Sequence, residues 1–315
     1  MLYYDEIKYN EYISEKTIVN IEKEKKIQCL FGGAFSSYVT GIDNNASDFD
    51  FYLVYDKKAT EMDAFRYFDE ESYVDIVMLD WNYINVSSAA YLRGIEKYPS
   101  ILHRGNRKEH SANIHRADFT SQLVFEILYS DYIWDSGFLM NNLDKILRNL
   151  SFFGILDYYF TRAWGNYKQE CMKEQIQAVK YLRMFLQYAC MRWLLENRTI
   201  PKMDIHFMFQ QYMPECFLPF FNDVLEKQKT LNVEKDVRKH CYDVRTHNLF
   251  QVTPKEMDAS VHLKERTRAY VKGNKEVNHW IEDELHRLAT VLQSVSETDD
   301  KLFIEKGNTA FLTRF

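Results

Sequence analysis

A chain of 315 residues that is 46% hydrophobic and 16% aromatic, with only 10 Gly and 5 Pro, has the composition of a folded, helix-rich protein of one large or two ordinary domains. Its formal net charge of -6 excludes a uniformly basic coat for nucleic acid and leaves any polyanion to a local basic cleft. The five cysteines (Cys29, Cys171, Cys190, Cys216 and Cys241) include no C-x-x-C pair, so free thiols in a reducing cytoplasm are expected, with neither a structural zinc site nor a disulfide framework. The N-terminal "MLYYDEIKYNEYISEK" has no apolar signal core, and no stretch approaches about 18 uninterrupted apolar residues. A soluble, cytoplasmic protein with no membrane partner follows.

In chain order, residues 3–25 read as a charged amphipathic helix, and "IQCLFGG" as a short strand closing in a glycine turn at Gly32 and Gly33. A polar loop then leads to "DFDFYLVYD" (48–56), a second strand, and "SYVDIVMLDW" (72–81) is a third. From about residue 84 the pattern turns helical, broken by the basic stretch 103–122, which reads as an exposed, solvated loop. Beyond residue 140 the segments "FFGILDYYFTRAWGNYKQ", "EQIQAVKYLRMFLQYACMRWLLENR" and "VNHWIEDELHRLATVLQSV" carry apolar stripes at helical spacing. The fold class expected is α+β: a sheet-bearing domain over 1–137, a helical domain over 138–295 and a C-terminal tail over 296–315.

Side chains two apart on a strand share a face, so Asp48 and Asp50 converge while Phe49, Phe51 and Leu53 turn to the other side. Paired carboxylates repel in a partly buried site unless a divalent cation bridges them or one holds its proton. Hard oxygen donors favour Mg²⁺ or Mn²⁺. Asp75 stands inside the apolar run of the next strand and needs a partner there. If the two strands are neighbours, three carboxylates meet at one sheet edge, as a two-metal phosphoryl-transfer site requires. Asp80, five residues on, would face the opposite side.

The loop before the pair carries "Ser36-Ser37-x-x-x-Gly41", followed by "Ser47-Asp48-Phe49-Asp50". This resembles the GSxxxGxxxxxSDxD signature of the DNA polymerase beta superfamily of nucleotidyltransferases, with Ser36 where the family has glycine. A Gly-Gly pair three residues earlier, ending at Gly33, offers a competing alignment of the turn. The resemblance implies a mixed sheet with flanking helices, two Mg²⁺ or Mn²⁺ ions on Asp48, Asp50 and Asp75, and a turn (Gly33, Ser36, Ser37, Gly41, Ser47) that grips the phosphates of an NTP or dNTP such as ATP. Downstream, "KYLRMFLQYACMRWLLENRTIPKMDIHFMF" is similar to the helical segment of a stand-alone branch of predicted nucleotidyltransferases associated with RNA repair and anti-phage defence. Lys180, Arg183 and Gln187 share one face of that helix, and the first two are candidates to neutralise triphosphate charge.

The function this implies is template-independent transfer of a nucleoside monophosphate to a hydroxyl, on a nucleic-acid 3′ end, a short oligonucleotide, a small molecule or a protein side chain. The chain's own tail, through Thr309 or Thr313, is one candidate acceptor. Two other readings stand beside it: a non-catalytic nucleotide-binding or scaffold subunit, and a D-x-D sugar-nucleotide transferase, which only 47 preceding residues make a poor fit. No G-x-x-x-x-G-K-[ST], H-E-x-x-H, G-x-G-x-x-G or G-x-S-x-G motif occurs. His240 and His247 fit no catalytic spacing and read as part of a basic solvated helix.

Overall fold

Period-two alternation builds the first half around one sheet. The computed structural model describes residues 15–35, 37–44, 47, 49–56, 64–69, 74–81, 124–130, 132–148, 150, 152–232 and 268–312. Helix α1 (Glu15–Lys25) buries Ile18 and Ile21 and leads into β1 (Gln28–Phe35). A four-residue helix α2 (Ser37–Thr40) follows, then β2 (Phe49–Asp56), β3 (Ala64–Asp69) and β4 (Val74–Asp80). Residues 124–129 are helical (α3), and β5 (Ile133–Asp135) completes a five-stranded sheet of order β3-β4-β2-β1-β5. The β2–β4 pair is parallel and the other pairings are antiparallel, so the sheet is mixed and the protein α+β.

The expected glycine turn is instead the middle of a strand. β1 runs on through Gly32 and Gly33 to Phe35, pairing with β2 on one side and β5 on the other. A Cβ on Gly32 would stand 2.4 Å from the Tyr52 carbonyl oxygen and 2.6 Å from the Phe51 ring, so glycine here serves close packing rather than chain reversal. Gly33 plays the same part towards Ile127, 3.1 Å from where its Cβ would lie. Strands β3 and β5 were not foreseen, nor the small ladder described below.

The two sheet faces bury different partners. Phe49, Phe51, Leu53 and Tyr55 of β2, with Ile76 and Met78 of β4, form a wholly apolar layer with Ile18, Ile21 and Trp134. Tyr52, Val54 and Leu79 point the other way and merge with the core of the helical half. That half comprises α4 (Phe138–Arg148), α5 (Phe152–Glu170), β6 (Gln175–Gln177), α6 (Ala178–Asn197), α7 (Ile205–Tyr212), α8 (Leu218–Lys229), β7 (Tyr270–Lys272) and α9 (Lys275–Leu292). Strands β6 and β7 pair antiparallel, so the helix expected to begin near 174 begins at Ala178. The long α5 and α6 pack against each other, and α9 closes on α5.

The junction expected near residue 138 is a capped turn inside one core. Asp135, 2% exposed, accepts hydrogen bonds from the Leu139 and Met140 amides at 2.8 and 3.2 Å and thereby starts α4 directly after β5. Phe31 and Phe125 share one buried cluster with Leu156, Leu182 and Phe185, so apolar contact is continuous across that point.

The tail expected over 296–315 is largely a docked helix, α10 (Glu297–Leu312). Arg198, in left-handed conformation at the end of α6, donates through Nε and Nη2 to Asp299 Oδ1 at 2.9 and 2.6 Å. Asp300 accepts from the Phe152 amide at 2.7 Å, and Phe303 is buried against the Phe152 and Phe125 rings. Thr309 falls on this helix. Thr313, the basic loop 103–122, Cys241, His240 and His247 lie outside the described residues.

Candidate functional site

Geometry begins with register. In the parallel pairing of β2 and β4, Asp50 is level with Asp75, Tyr52 with Val77 and Val54 with Leu79. In-register residues of adjacent strands share a face, so Asp50 and position 75 lie on the face that carries Tyr52, Val54 and Leu79 towards the helical half. Asp80 is level with Tyr55, whose ring belongs to the opposite, apolar layer. Asp48 and Ser36 lie outside the described residues.

The loop between β1 and β2 is built by local hydrogen bonds. Ser37, buried, opens α2, and its carbonyl accepts from Thr40 Oγ1 at 3.2 Å and from the Ile42 amide at 3.0 Å. Gly41 follows with φ +72, a left-handed conformation that disfavours any side chain, and a Cβ there would meet Ile205 of α7 at 3.6 Å. Ser47 and Asn44 close the remainder: the Asn44 amide donates to Ser47 Oγ at 3.0 Å and the Ser47 amide to the Asn44 carbonyl at 3.0 Å. Asn44 Nδ2 then donates to the Gln228 carbonyl at 3.3 Å, tying the loop to α8. The approach to the acidic pair is thus fixed to helices of the second half.

Across from Asp50 stands a group of charges that one sheet alone would not provide. Arg183 of α6 is disfavoured as a cation by burial, which lowers its pKa, while the negative charge of Asp50 supports it, Arg162 of α5 repels it and Glu126 of α3 supports it. Glu126 is pushed up to about 7 by burial, against the pull of Arg162, a hydrogen bond with Tyr52 and the charge of Arg183; Asp50 adds repulsion. Burial likewise raises the Tyr52 phenol far above its ordinary value, so it stays neutral beside these carboxylates. Tyr52 itself stacks on Phe35, ring centroids 3.5 Å apart, at the end of β1. Glu126 and Arg183 therefore each feel Asp50 and Arg162, across three helices and a strand.

Lys180 is not brought into this group. Its ammonium lies 3.0 Å from Glu170 Oε1, which also receives Lys173 at 3.0 Å, while the Gln177 amide donates to Oε2 at 3.3 Å. Burial opposes the Glu170 charge, but these donors outweigh it and hold the carboxyl below its ordinary range. The basic pair read from one helix face thus divides: Arg183 belongs with Asp50, and Lys180 secures the α5–β6–α6 corner.

Glu126 and Arg162 escaped the reading of the sequence. A usable signal existed for the first, since "QLVFEILY" encloses one acid among apolar residues, the same pattern that singled out Asp75. Arg162 gives no such sign, because an arginine on an amphipathic helix looks like any solvated cation.

Among the described residues no three His, Cys, Asp or Glu side chains come close enough together to hold a metal ion. Asp48 and the side chain of Asp75 are not among them. No described helix is long and apolar enough to cross a membrane. No protein-family model matches the chain, and no curated protein is significantly similar to it.

Proposed function

We propose that the chain is a metal-dependent, template-independent nucleotidyltransferase with a polymerase-beta-like sheet, moving a nucleoside monophosphate from an NTP or dNTP to an acceptor hydroxyl with release of pyrophosphate. One observation carries the reading: Asp50 and Asp75 are level on parallel strands, on the face where Arg183 lies in the field of Asp50. A purely structural acid on β2 would not need a second acid beside it.

The donor chemistry fits the implied metal. Asp48, Asp50 and Asp75 offer hard carboxylate oxygens, and the Arg183 guanidinium in the field of Asp50 does not by itself offset three such charges. These residues would hold Mg²⁺ or Mn²⁺, which when bound supplies charge neutralisation and a lowered pKa for the acceptor hydroxyl. The chain's own groups do the rest. Ser36, Ser37, Gly41 and Ser47 belong to the segment that would donate to the phosphates, Gly33 lies back in β1 against Ile127, and Arg183 would offset charge on the phosphate chain. As the acceptor oxygen bonds to the α-phosphorus, the bond to pyrophosphate breaks and the hydroxyl proton passes to a carboxylate.

Incubation with each labelled NTP and dNTP, with Mg²⁺ or Mn²⁺, tests this by resolving products of wild type beside Asp50→Asn and Asp75→Asn. Labelled product and pyrophosphate from wild type but from neither variant is the expected result. Release of pyrophosphate that survives both substitutions would refute the site.

A further inference from the structure

Among the described side chains of the C-terminal helix α10, Phe303 alone is buried, whereas the helix before it, α9, buries Val277, Ile281, Leu285, Leu288 and Leu292. The interior of α10 also carries Gly307 and Asn308, two poor helix formers. A helix with so little apolar burial belongs to the part of a fold that opens first.

One carboxylate both starts this helix and docks it. Asp299 Oδ2 accepts from the Ser296 amide at 2.9 Å and from the Ser296 hydroxyl at 3.1 Å, a reciprocal cap, while Oδ1 accepts from Nε and Nη2 of Arg198 at 2.9 and 2.6 Å. Arg198 is held in turn by donation from Nη1 to the Leu194 carbonyl at 3.2 Å, with its guanidinium over the Phe152 ring. Forming α10 and seating it therefore converge on Asp299. One turn on, the Phe303 ring lies 5.3 Å from that of Phe152 and 6.3 Å from that of Phe125, centroid to centroid.

Phe125 is where the tail reaches the site. It belongs to α3, and residues two apart on a helix face nearly opposite ways, so Ile127 turns from Phe303 to the sheet. The Ile127 Cα and carbonyl oxygen each lie 3.3 Å from where a Cβ on Gly33 would stand. Gly33 is level with Tyr52, and Phe35, two residues on, is level with Asp50, so α3 rests on the face that carries the acids. The short helix is wedged between α10 and β1.

We propose that α10 is a releasable clasp for the site: docked, it presses α3 onto the acid-bearing face of the sheet; undocked, it lets α3 withdraw and opens that face to water. Phe303 is then a positioning residue that acts through Phe125. The coupling of α10 to α3 is independent of any activity, and its consequence for catalysis rests on the nucleotidyltransferase reading.

Hydrogen exchange followed by mass spectrometry on the full chain tests the clasp, with nucleotide transfer assayed on the same preparations. In Phe303→Ala the amides of 297–312 and of 124–130 are expected to exchange about tenfold faster or more, while those of α9 keep the wild-type rate. Phe303→Leu refills most of the gap and should restore slow exchange in both segments. Asp299→Asn leaves the core untouched and should give the same pattern at smaller amplitude, so it carries the test if Phe303→Ala does not fold. Faster exchange over 297–312 with 124–130 unchanged overturns the clasp. Equal acceleration of α3 and α9 does so too, since it would report loss of global stability. Transfer should fall in step with the loosening of α3. If the two segments open together but wild type transfers no nucleotide, the clasp stands and the transferase reading fails. If transfer is unchanged in variants whose α3 is loosened, the transferase reading stands and the hold of the clasp on the site fails.

Discussion

Glu126 is half-buried and Glu170 buried, each beside a basic residue of the same helix, the two one turn apart, yet their surroundings push the carboxyls in opposite directions. Glu170, 1% exposed, collects two lysines and a backbone amide and stays charged more readily than in water. Glu126 has Arg162, Arg183 and Tyr52 near it, but burial wins and the carboxyl rises to about 7. The first is what a structural ion pair looks like when its donors are spent on it alone. The second is a carboxylate whose cations are shared with Asp50, and sharing of that kind is common where a ligand completes the charge balance.

The contrast is broken most severely at Asp50. Asp50→Asn is expected to reduce nucleotide transfer by roughly a hundredfold or more, the scale of losing a preorganised charged group at a reacting centre. Some thermal stability should be lost as well, because the charge of Asp50 supports the Arg183 guanidinium and this outweighs its repulsion of Glu126. Product gels and a melting curve on the same preparation check both halves. An active variant, or one that is inactive only because it unfolds, would return Asp50 to a structural role.

The two cations of α6 give the next test. Removing Arg183 strands Asp50 and Glu126 without their buried partner, and breaking a buried pair in this way costs about 3 kcal/mol or more. Lys180 is 36% exposed and Glu170 keeps Lys173 when it is lost, so Lys180→Met should cost about 1 kcal/mol or less. Urea titrations of Arg183→Met and Lys180→Met measure the difference. A larger cost at Lys180 would invert the assignment of the two residues.

Opposite pKa directions predict opposite pH slopes, each of at most about 1.4 kcal/mol per pH unit for one proton. Between the ordinary carboxylate range and about 7, folded Glu126 keeps a proton that the unfolded chain has released. Its contribution to stability therefore falls as pH rises through that window, and Glu126→Gln should flatten the slope there. Glu170 behaves the other way: its pairs stabilise fully above the ordinary carboxylate range and are lost as pH falls through the depressed value of the folded state. Glu170→Gln should flatten only the acidic limb. Denaturation midpoints from pH 3 to 8 separate the two, and equal flattening on the same limb would contradict the contrast.

Much of the sheet side was legible because strands announce themselves by period two. The alternation in "DFDFYLVYD" separates Asp50 from Phe49, Phe51 and Leu53, and the structure buries those three in a layer that excludes Asp50. The isolated Asp75 was legible for the same reason, and the pairing of β2 with β4 places it level with Asp50. What the sequence withheld were facts of tertiary packing. A glycine pair signals a turn as readily as a close contact, so the passage of β1 through Gly32 and Gly33 depended on the Phe51 ring and Ile127, which no local pattern reveals. Lys180 and Arg183 lie on one helix face, but Glu170, ten residues before Lys180 across the α5–β6 bend, decides that only one of them reaches Asp50. The helix at Glu297–Leu312 was obscured by its own composition, since its binding to the core rests on Phe303 and on two aspartates whose partners are 101 and 148 residues away.

The smallest effect lies at Gly41, and it probes whether the loop before Asp48 matters as a rigid body. The backbone there is left-handed at φ +72, and an added Cβ finds only Ile205 at 3.6 Å, an ordinary contact. Strain from the dihedral, rather than collision, is then the main cost of Gly41→Ala, about 1 kcal/mol. A loop whose only task is to connect β1 and β2 would absorb that cost with no further consequence. This loop is pinned at both ends, by Ser37 to Ile42 and by Asn44 to the Gln228 carbonyl of α8, so relief of the strain must move either α2 or the approach to β2. Nucleotide affinity should therefore fall several-fold in Gly41→Ala while Lys180→Met, although comparable in stability, leaves it unchanged. Equal affinities for the two variants would show that the loop is a connection and not part of the site.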